Sequence, residues 1–370
     1  MKAKISALIS VLFLVSVLLS PIIGAIQPFQ RIPSSGTIVY DHSYSMDYML
    51  QRFYSGRGYG ALIPEGGDDY NYFGKNATIH YARREGYAYL ADDGTLTNED
   101  PSGTWPTITG GWYAVFNTDQ FYEIIREIVV GEKLLENNPS CYPVILDYEL
   151  WLYNFETIPK SAMKYFLGNL SQFLDSLDPL VGRDVWMIFQ PCWEFNQEPF
   201  GEPGSGWGAG GQSVIPFCRG WNIPAEDYNR QIKNWADAKR ELNITNILLG
   251  AHVCKLWSKT YDPYYLEGIR ECDIIGASAY WDNATEKFEK LKEFWETVGG
   301  NKTLFFFEYN MDYLQNHYAD AEHVYETYSL IPKYPMVKCL SWWCPLQYDE
   351  ATHQAIIEMT AQYNAYKPES

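Results

Sequence analysis

"DVWMIFQPCWEFN", residues 184–196, begins as an apolar run and ends on a carboxylate set between two aromatic rings. A strand with one face in water alternates polar and apolar side chains. A strand that is apolar throughout belongs to a sheet covered on both faces. Five more stretches read this way: "YPVILDYEL" (142–150), "NILLGAHV" (246–253), "DIIGASAY" (273–280), "TLFFFEYN" (303–310) and "VKCLSWWCP" (337–345). Segments with apolar residues at three- and four-residue spacing lie between or beside them: 118–138, 158–177, 225–242, 284–298, 319–331 and 349–366. That is the period of an amphipathic helix. Strands and helices in alternation predict a parallel α/β architecture.

The expected fold class is α/β, a (β/α)8 TIM barrel with long N-terminal loops. Closing it requires two more strands, for which "GTIVYDH" (36–42) and "GGWYAVF" (110–116) are the candidates. The alternative is a doubly wound open sheet, but no dinucleotide fingerprint follows a first strand. "GSGWGAGG" (204–211) comes after an aromatic-polar loop and precedes no helix, so it reads as a surface loop and not a phosphate cradle.

A chain of 370 residues is long enough for one large core. Met1-Lys2-Ala3-Lys4 leads into the apolar run "ISALISVLFLVSVLLSPIIGA", which reads as a signal peptide or membrane anchor over residues 1–25. Residues 26–370 are then a single barrel domain, secreted or held at the membrane by its N-terminus. The chain carries 46 Asp plus Glu against 28 Lys plus Arg, which disfavours nucleic acid as a partner. The 13 Trp and 30 Tyr fill the core and also suit a surface that stacks on the C–H faces of sugars. Seven cysteines contain no C-x-x-C pair and the histidines have no metal-like spacing, so neither metal nor cofactor is expected. Export permits disulfides; Cys192 with Cys218, flanking one long loop, is the favoured bridge, and Cys339 with Cys344 the weaker one. A monomer is expected.

In a barrel of this kind the chemistry sits at the C-terminal ends of the strands. Those ends carry Asp147 and Glu149, Trp193 and Glu194, His252, Tyr280 and Trp281, Glu308 and Asn310, and Trp342 and Trp343. Glu194 and Glu308 each terminate an otherwise apolar strand. A carboxyl beside aromatic rings loses solvation, which favours its protonated form, the form a general acid needs. Two carboxyl groups flanking a scissile bond are the requirement of glycoside hydrolysis. Asp147 and Glu149 form a D-x-E unit on one face of a strand, as in chitinase-like or lysozyme-like barrels, and are the second candidate pair. Glu198 and Glu202, in the loop after Glu194, are further acid candidates that read as solvated.

Glu at the ends of barrel strands four and seven, with Trp at the end of strand eight, resembles the clan A glycoside hydrolases. "IFQPCWEFN", "DIIGASAYW" and "FFFEYN" look most like glycoside hydrolase family 26, the β-mannanases, over roughly residues 105–365. The resemblance implies a retaining double displacement, with Glu194 as acid/base and Glu308 as nucleophile. It also implies that Tyr280 orients the nucleophile and that Trp342 or Trp343 floors the central sugar subsite. Trp193, Asn196, His252 and Trp281 join the expected substrate contacts. Two positions depart from the family: Trp193 stands where it places His, and Gln190-Pro191 where it carries Arg-Pro. These bear on the mannan specificity and leave the two carboxyls intact. The competing readings are a non-catalytic carbohydrate-binding barrel and a polysaccharide transferase on the same scaffold.

Overall fold

The computed structural model describes residues 38–41, 80–103, 107, 116–126, 129, 144–182, 184–196, 223–254, 263–311, 317–342 and 349–363. The strands are β1 (Ile38–Asp41), β2 (His80–Leu90), β3 (Leu96–Thr97), β4 (Val144–Leu152), β5 (Val185–Gln190), β6 (Ile247–Val253), β7 (Ile274–Tyr280), β8 (Thr303–Asn310) and β9 (Val337–Trp342). The helices are α1 (Thr118–Arg126), α2 (Lys160–Val181), α3 (Ala225–Glu241), α4 (Leu266–Glu271), α5 (Ala284–Val298), α6 (Ala321–Leu330) and α7 (Glu350–Tyr363).

The sheet runs β1-β9-β8-β7-β6-β5-β4-β2-β3. All its ladders are parallel except the short β2–β3 hairpin. From β2 through β4 to β9 each barrel strand neighbours the next in the chain, and β1, the first, lies against β9, the last. In an open doubly wound sheet the order would reverse from an interior strand; here the chain has gone once round. This is the eight-stranded α/β barrel the apolar strands predict.

Two apolar cores separate by strand alternation. Trp186 and Ile188 from β5, Leu248 from β6, Ile274 from β7, Phe305 and Phe307 from β8 and Cys339 from β9 form one cluster, the filled interior of the barrel. Their neighbours Met187, Phe189, Leu249, Ile275, Phe306 and Leu340 belong to the larger cluster shared with the helices. Helix α2 shows how the helices join it. Ala162, Met163, Phe166, Leu167, Leu170, Leu174 and Leu177 are its buried stripe, and left-handed Gly182 ends it by donating its N–H to Asp178 O at 2.8 Å. Asn283 caps α5 by accepting from the Glu286 N–H at 2.9 Å, and Asp320 caps α6 through the His323 N–H at 2.8 Å.

Two expectations are corrected. The second barrel strand is His80–Leu90, not residues 110–116, of which only Phe116 is described, as a core residue whose N–H donates to Tyr87 O. Arg83, Arg84, Glu85 and Gly86 interrupt the apolar pattern of β2 and conceal it in the sequence. Cys192, expected to bridge Cys218, is a free buried thiol; Cys218 and Cys344 lie outside the described residues, as do residues 1–37 with the N-terminal apolar run.

Candidate active site

Going up the barrel interior toward the strand C-termini, the inward positions turn from apolar to polar. After Ile188 comes Gln190, after Leu248 and Gly250 comes His252, and after Ile274 and Gly276 comes Ser278. Two glycines make this layer fit. A Cβ on Gly250 would stand 2.7 Å from Gln190 Cγ, and one on Gly276 would stand 2.3 Å from Phe305 O and 2.8 Å from the Phe307 ring. Phe307 thereby reaches the His252 ring, with centroids 4.8 Å apart.

Glu308 would face the helices if β8 alternated regularly, because Phe306 faces out and Phe307 faces in. The ladder shows why it does not. Ala277 pairs with Phe306 but Ser278 pairs with Glu308, and the register against β9 also shifts between Phe306 and Tyr309. One extra residue in β8 is a β-bulge, a device that re-aims the following side chain. Glu308 turns into the barrel, 6 % exposed, and Tyr309 returns to the outer core.

Glu194 follows β5 in a turn and has φ 49°, the left-handed region that a residue with a Cβ rarely occupies. Contacts with β6 and the residue after it hold it there. Its N–H donates to His252 O at 2.8 Å, and Asn196 Oδ1 accepts from the Cys254 N–H at 2.8 Å. Glu194 is 9 % exposed.

The two glutamates meet at one hydroxyl. Ser278 Oγ is 2.6 Å from Glu194 Oε1 and 3.4 Å from Glu308 Oε2. Behind it His252 Nε2 is 2.8 Å from Ser278 Oγ, and His252 Nδ1 is 2.9 Å from Glu149 Oε1. Gln190 Nε2 donates to Asp147 Oδ1 at 2.7 Å beside this chain. Glu149, His252 and Glu308 each offer an atom within 4.8 Å of the others, close enough for a cation. Both His252 nitrogens are already engaged, so an ion would have to displace one of those hydrogen bonds.

The outer side of β8 is fixed separately. Lys287 is buried, donates from Nζ to Asn310 O at 2.7 Å and to His323 Nε2 at 3.1 Å, and sits 4.0 Å from the Tyr309 ring centroid. Burial holds its pKa well below the usual lysine value. Burial, with the Lys287 charge beside it, pushes the pKa of His323 down to about 3. Asn310 Oδ1 accepts from the Met311 and Ala319 N–H groups at 2.8 and 3.0 Å, so the strand end beyond Glu308 is tied down.

Of the residues singled out in the sequence, Glu194, Glu308, Asn196 and Tyr280 come together at the strand ends, and Trp281 follows, partly buried with Lys290 Nζ 5.5 Å from its ring centroid. Asn196 Nδ2 is buried without a hydrogen-bond partner among the described residues. Five others are corrected. His252 is fully buried with both ring nitrogens bonded, so it supports the site from below and is not a substrate contact. Asp147 and Glu149, the second candidate pair, are likewise buried and occupied by Gln190 and His252. Trp193 packs edge-on against Tyr87 and Trp151, at 5.2 and 5.5 Å. Trp342 is 0 % exposed in the outer core against Tyr309 and Tyr328, which leaves no face for a sugar. Trp343, Glu198 and Glu202 lie outside the described residues. Sequence reasoning missed Ser278, although period-two counting from Ile274 puts it inward.

No protein-family model and no curated protein matches the chain. Solved structures similar to it include members of glycoside hydrolase family 26. A modular endo-β-1,4-mannanase from Cellulomonas fimi is 12 % identical with TM-score 0.48, over 93 % of this chain and 75 % of that one. A β-mannanase from Bacteroides ovatus is 12 % identical with TM-score 0.40, over 88 % and 94 %. A family 26 protein from Muricauda sp. is 13 % identical with TM-score 0.44, over 90 % and 86 %.

Proposed function

We propose that this chain is a retaining glycoside hydrolase acting on a β-linked polysaccharide, a mannan or a related β-glycan. The observation that carries the reading is the meeting of Glu194 and Glu308 at Ser278 Oγ, at 2.6 and 3.4 Å. By those two distances Glu194 Oε1 and Glu308 Oε2 are no more than 6.0 Å apart, short of the about 6.5 Å between carboxyl groups where the water-accommodating spacing of inverting enzymes begins. They suit the closer pair of a double displacement. Both groups are largely withdrawn from water at the end of a barrel where such chemistry belongs.

In this mechanism Glu308 attacks the anomeric carbon while the bond to the leaving oxygen breaks, and the Glu194 proton passes to that oxygen. Glu194, now a carboxylate, then takes a proton from the water that displaces Glu308 from the sugar. The free amide hydrogens of Asn196, two residues from the acid, supply donors for a sugar hydroxyl. Tyr280, 8 % exposed, ends β7, the strand paired with that of Glu308, which is where a residue orienting the nucleophile would stand.

The test is Glu308→Ala assayed on activated aryl β-glycosides with and without azide, after a screen of β-glycans has found the substrate. The variant should lose turnover, and azide should restore part of it as a glycosyl azide of inverted configuration. Near-normal hydrolysis by the variant would exclude Glu308 as the nucleophile. The basic start and apolar run of residues 1–25 support action outside the cytoplasm; fractionating cells that express the full chain, with all of it found in the cytosol, would refute that part.

A further inference from the structure

We propose that Glu149, acting through His252 and Ser278, holds Glu194 in its proton-bearing form between turnovers. The inference rests on the double-displacement reading and adds three positioning residues to it. A hydroxyl has one hydrogen to give, and Ser278 Oγ has three polar neighbours: His252 Nε2 at 2.8 Å, Glu194 Oε1 at 2.6 Å and Glu308 Oε2 at 3.4 Å. Where that hydrogen goes decides what Glu194 must be.

The direction is set at the buried end. Glu149 and His252 are fully buried, and a carboxylate 2.9 Å from Nδ1 draws the imidazole proton onto that nitrogen. Nε2 is then left as an acceptor and takes the Ser278 hydrogen. Ser278 Oγ can now only accept from Glu194, and only the protonated carboxylic acid can donate across 2.6 Å. The opposite arrangement moves one proton: the Glu194 O–H bond breaks as an Oγ–H bond forms, and the former Oγ–H proton bonds to Nε2. Atoms and charge balance, with an imidazolium and a second carboxylate as the result. That second carboxylate would share one hydroxyl with Glu308, two like charges in a site largely withdrawn from water. Among the described residues, the charged and titratable groups facing the chain are Glu149 and Asp147 from β4, Glu194 after β5 and Glu308 from β8, with Gln190 donating to Asp147. The apolar Phe307 ring covers one side of His252. At 3.4 Å, Glu308 receives little from this hydroxyl.

Nitrogen-15 NMR of the histidine-labelled protein, with His252 identified by its loss in His252→Gln, reads the first half of the chain without any substrate. The neutral ring protonated at Nδ1 is expected; a ring protonated at both nitrogens at the working pH would overturn the proposal. Kinetics reads the second half. Ser278→Ala and Ser278→Thr are compared on phenyl and dinitrophenyl β-mannobiosides and β-cellobiosides. Ser278→Ala should lower kcat about tenfold or more on phenyl glycosides, which need the acid, and far less on dinitrophenyl ones. Ser278→Thr, which keeps the hydroxyl, should recover most of it. Equal losses on both leaving groups would show a structural role only and overturn the proposal. If the wild-type protein cleaves no glycoside the hydrolase reading fails, and the NMR arm still reports on the hydrogen-bond chain.

Discussion

Glu308 stands opposite Ser278 across the β7–β8 ladder because Phe307 is an extra residue in its strand. Without that bulge a regular alternation would aim Glu308 at the helices and leave one carboxyl at the barrel mouth. The bulge depends in turn on Gly276, which leaves room for the Phe307 ring beside His252.

Gly276→Ala should therefore damage stability and activity together. Its Cβ would lie 2.3 Å from Phe305 O, a backbone atom that cannot swing aside, and 2.8 Å from the Phe307 ring. Overpacking of this kind costs roughly 1–3 kcal/mol, and more where backbone must shift. Urea unfolding should show a lower midpoint at an unchanged m-value, and the folded fraction should lose kcat as Glu308 is displaced. An unchanged midpoint would mean that the bulge does not need the glycine.

How much of this was legible follows from what repeats along the chain. Strands such as Thr303–Asn310 and helices such as Ala284–Val298 announce themselves by a sustained period, and the sequence reading places both at the observed bounds. β2 does not, because "ARREG" interrupts its pattern. The two glutamates were visible as charges ending apolar runs. The bulge was not, since "FFFE" carries no sign of which phenylalanine is the extra one. Nor was the burial of Trp342: "SWW" puts one tryptophan on each face of a strand, and only the packing of Tyr309 and Tyr328 shows that Trp342 took the outer one.

Trp342→Ala accordingly tests a core residue. Removing a fully buried tryptophan costs roughly 3–5 kcal/mol, so thermal and urea midpoints should fall steeply. The KM of the protein that remains folded should be unchanged. A raised KM at normal stability would return Trp342 to the sugar site.

The depressed pKa of His323 gives stability a pH dependence. Folded, the ring stays neutral down to about 3; unfolded, it takes a proton near the ordinary 6.5. Above that pH neither state is charged and His323 contributes no slope. Below it the unfolded chain binds a proton that the folded one refuses, so stability falls with acid by up to about 1.4 kcal/mol per pH unit. His323→Phe keeps a ring against Tyr309 and Trp342 and cannot titrate. Its loss of stability between neutral pH and pH 4 should be smaller than that of the wild type. Parallel curves would show that another group governs the acid limb.

Glu194→Gln separates the acid from every other role of its side chain. The amide is nearly the same size and can still hydrogen-bond Ser278, so the fold and the strained turn at φ 49° should survive. What it cannot do is release a proton to a leaving oxygen. On phenyl glycosides and on polysaccharide, whose leaving groups depart only when protonated, the rate should fall by about 10²–10⁴. On dinitrophenyl glycosides the first step should stay fast, since that leaving group departs as an anion. The second step should then become slow, because no carboxylate remains to take a proton from water. A burst of dinitrophenol followed by slow turnover is the expected trace, and azide, which needs no deprotonation, should shorten the slow phase. Equal losses on both leaving groups, with no burst, would remove Glu194 as the acid/base and with it the pairing that Ser278 holds together.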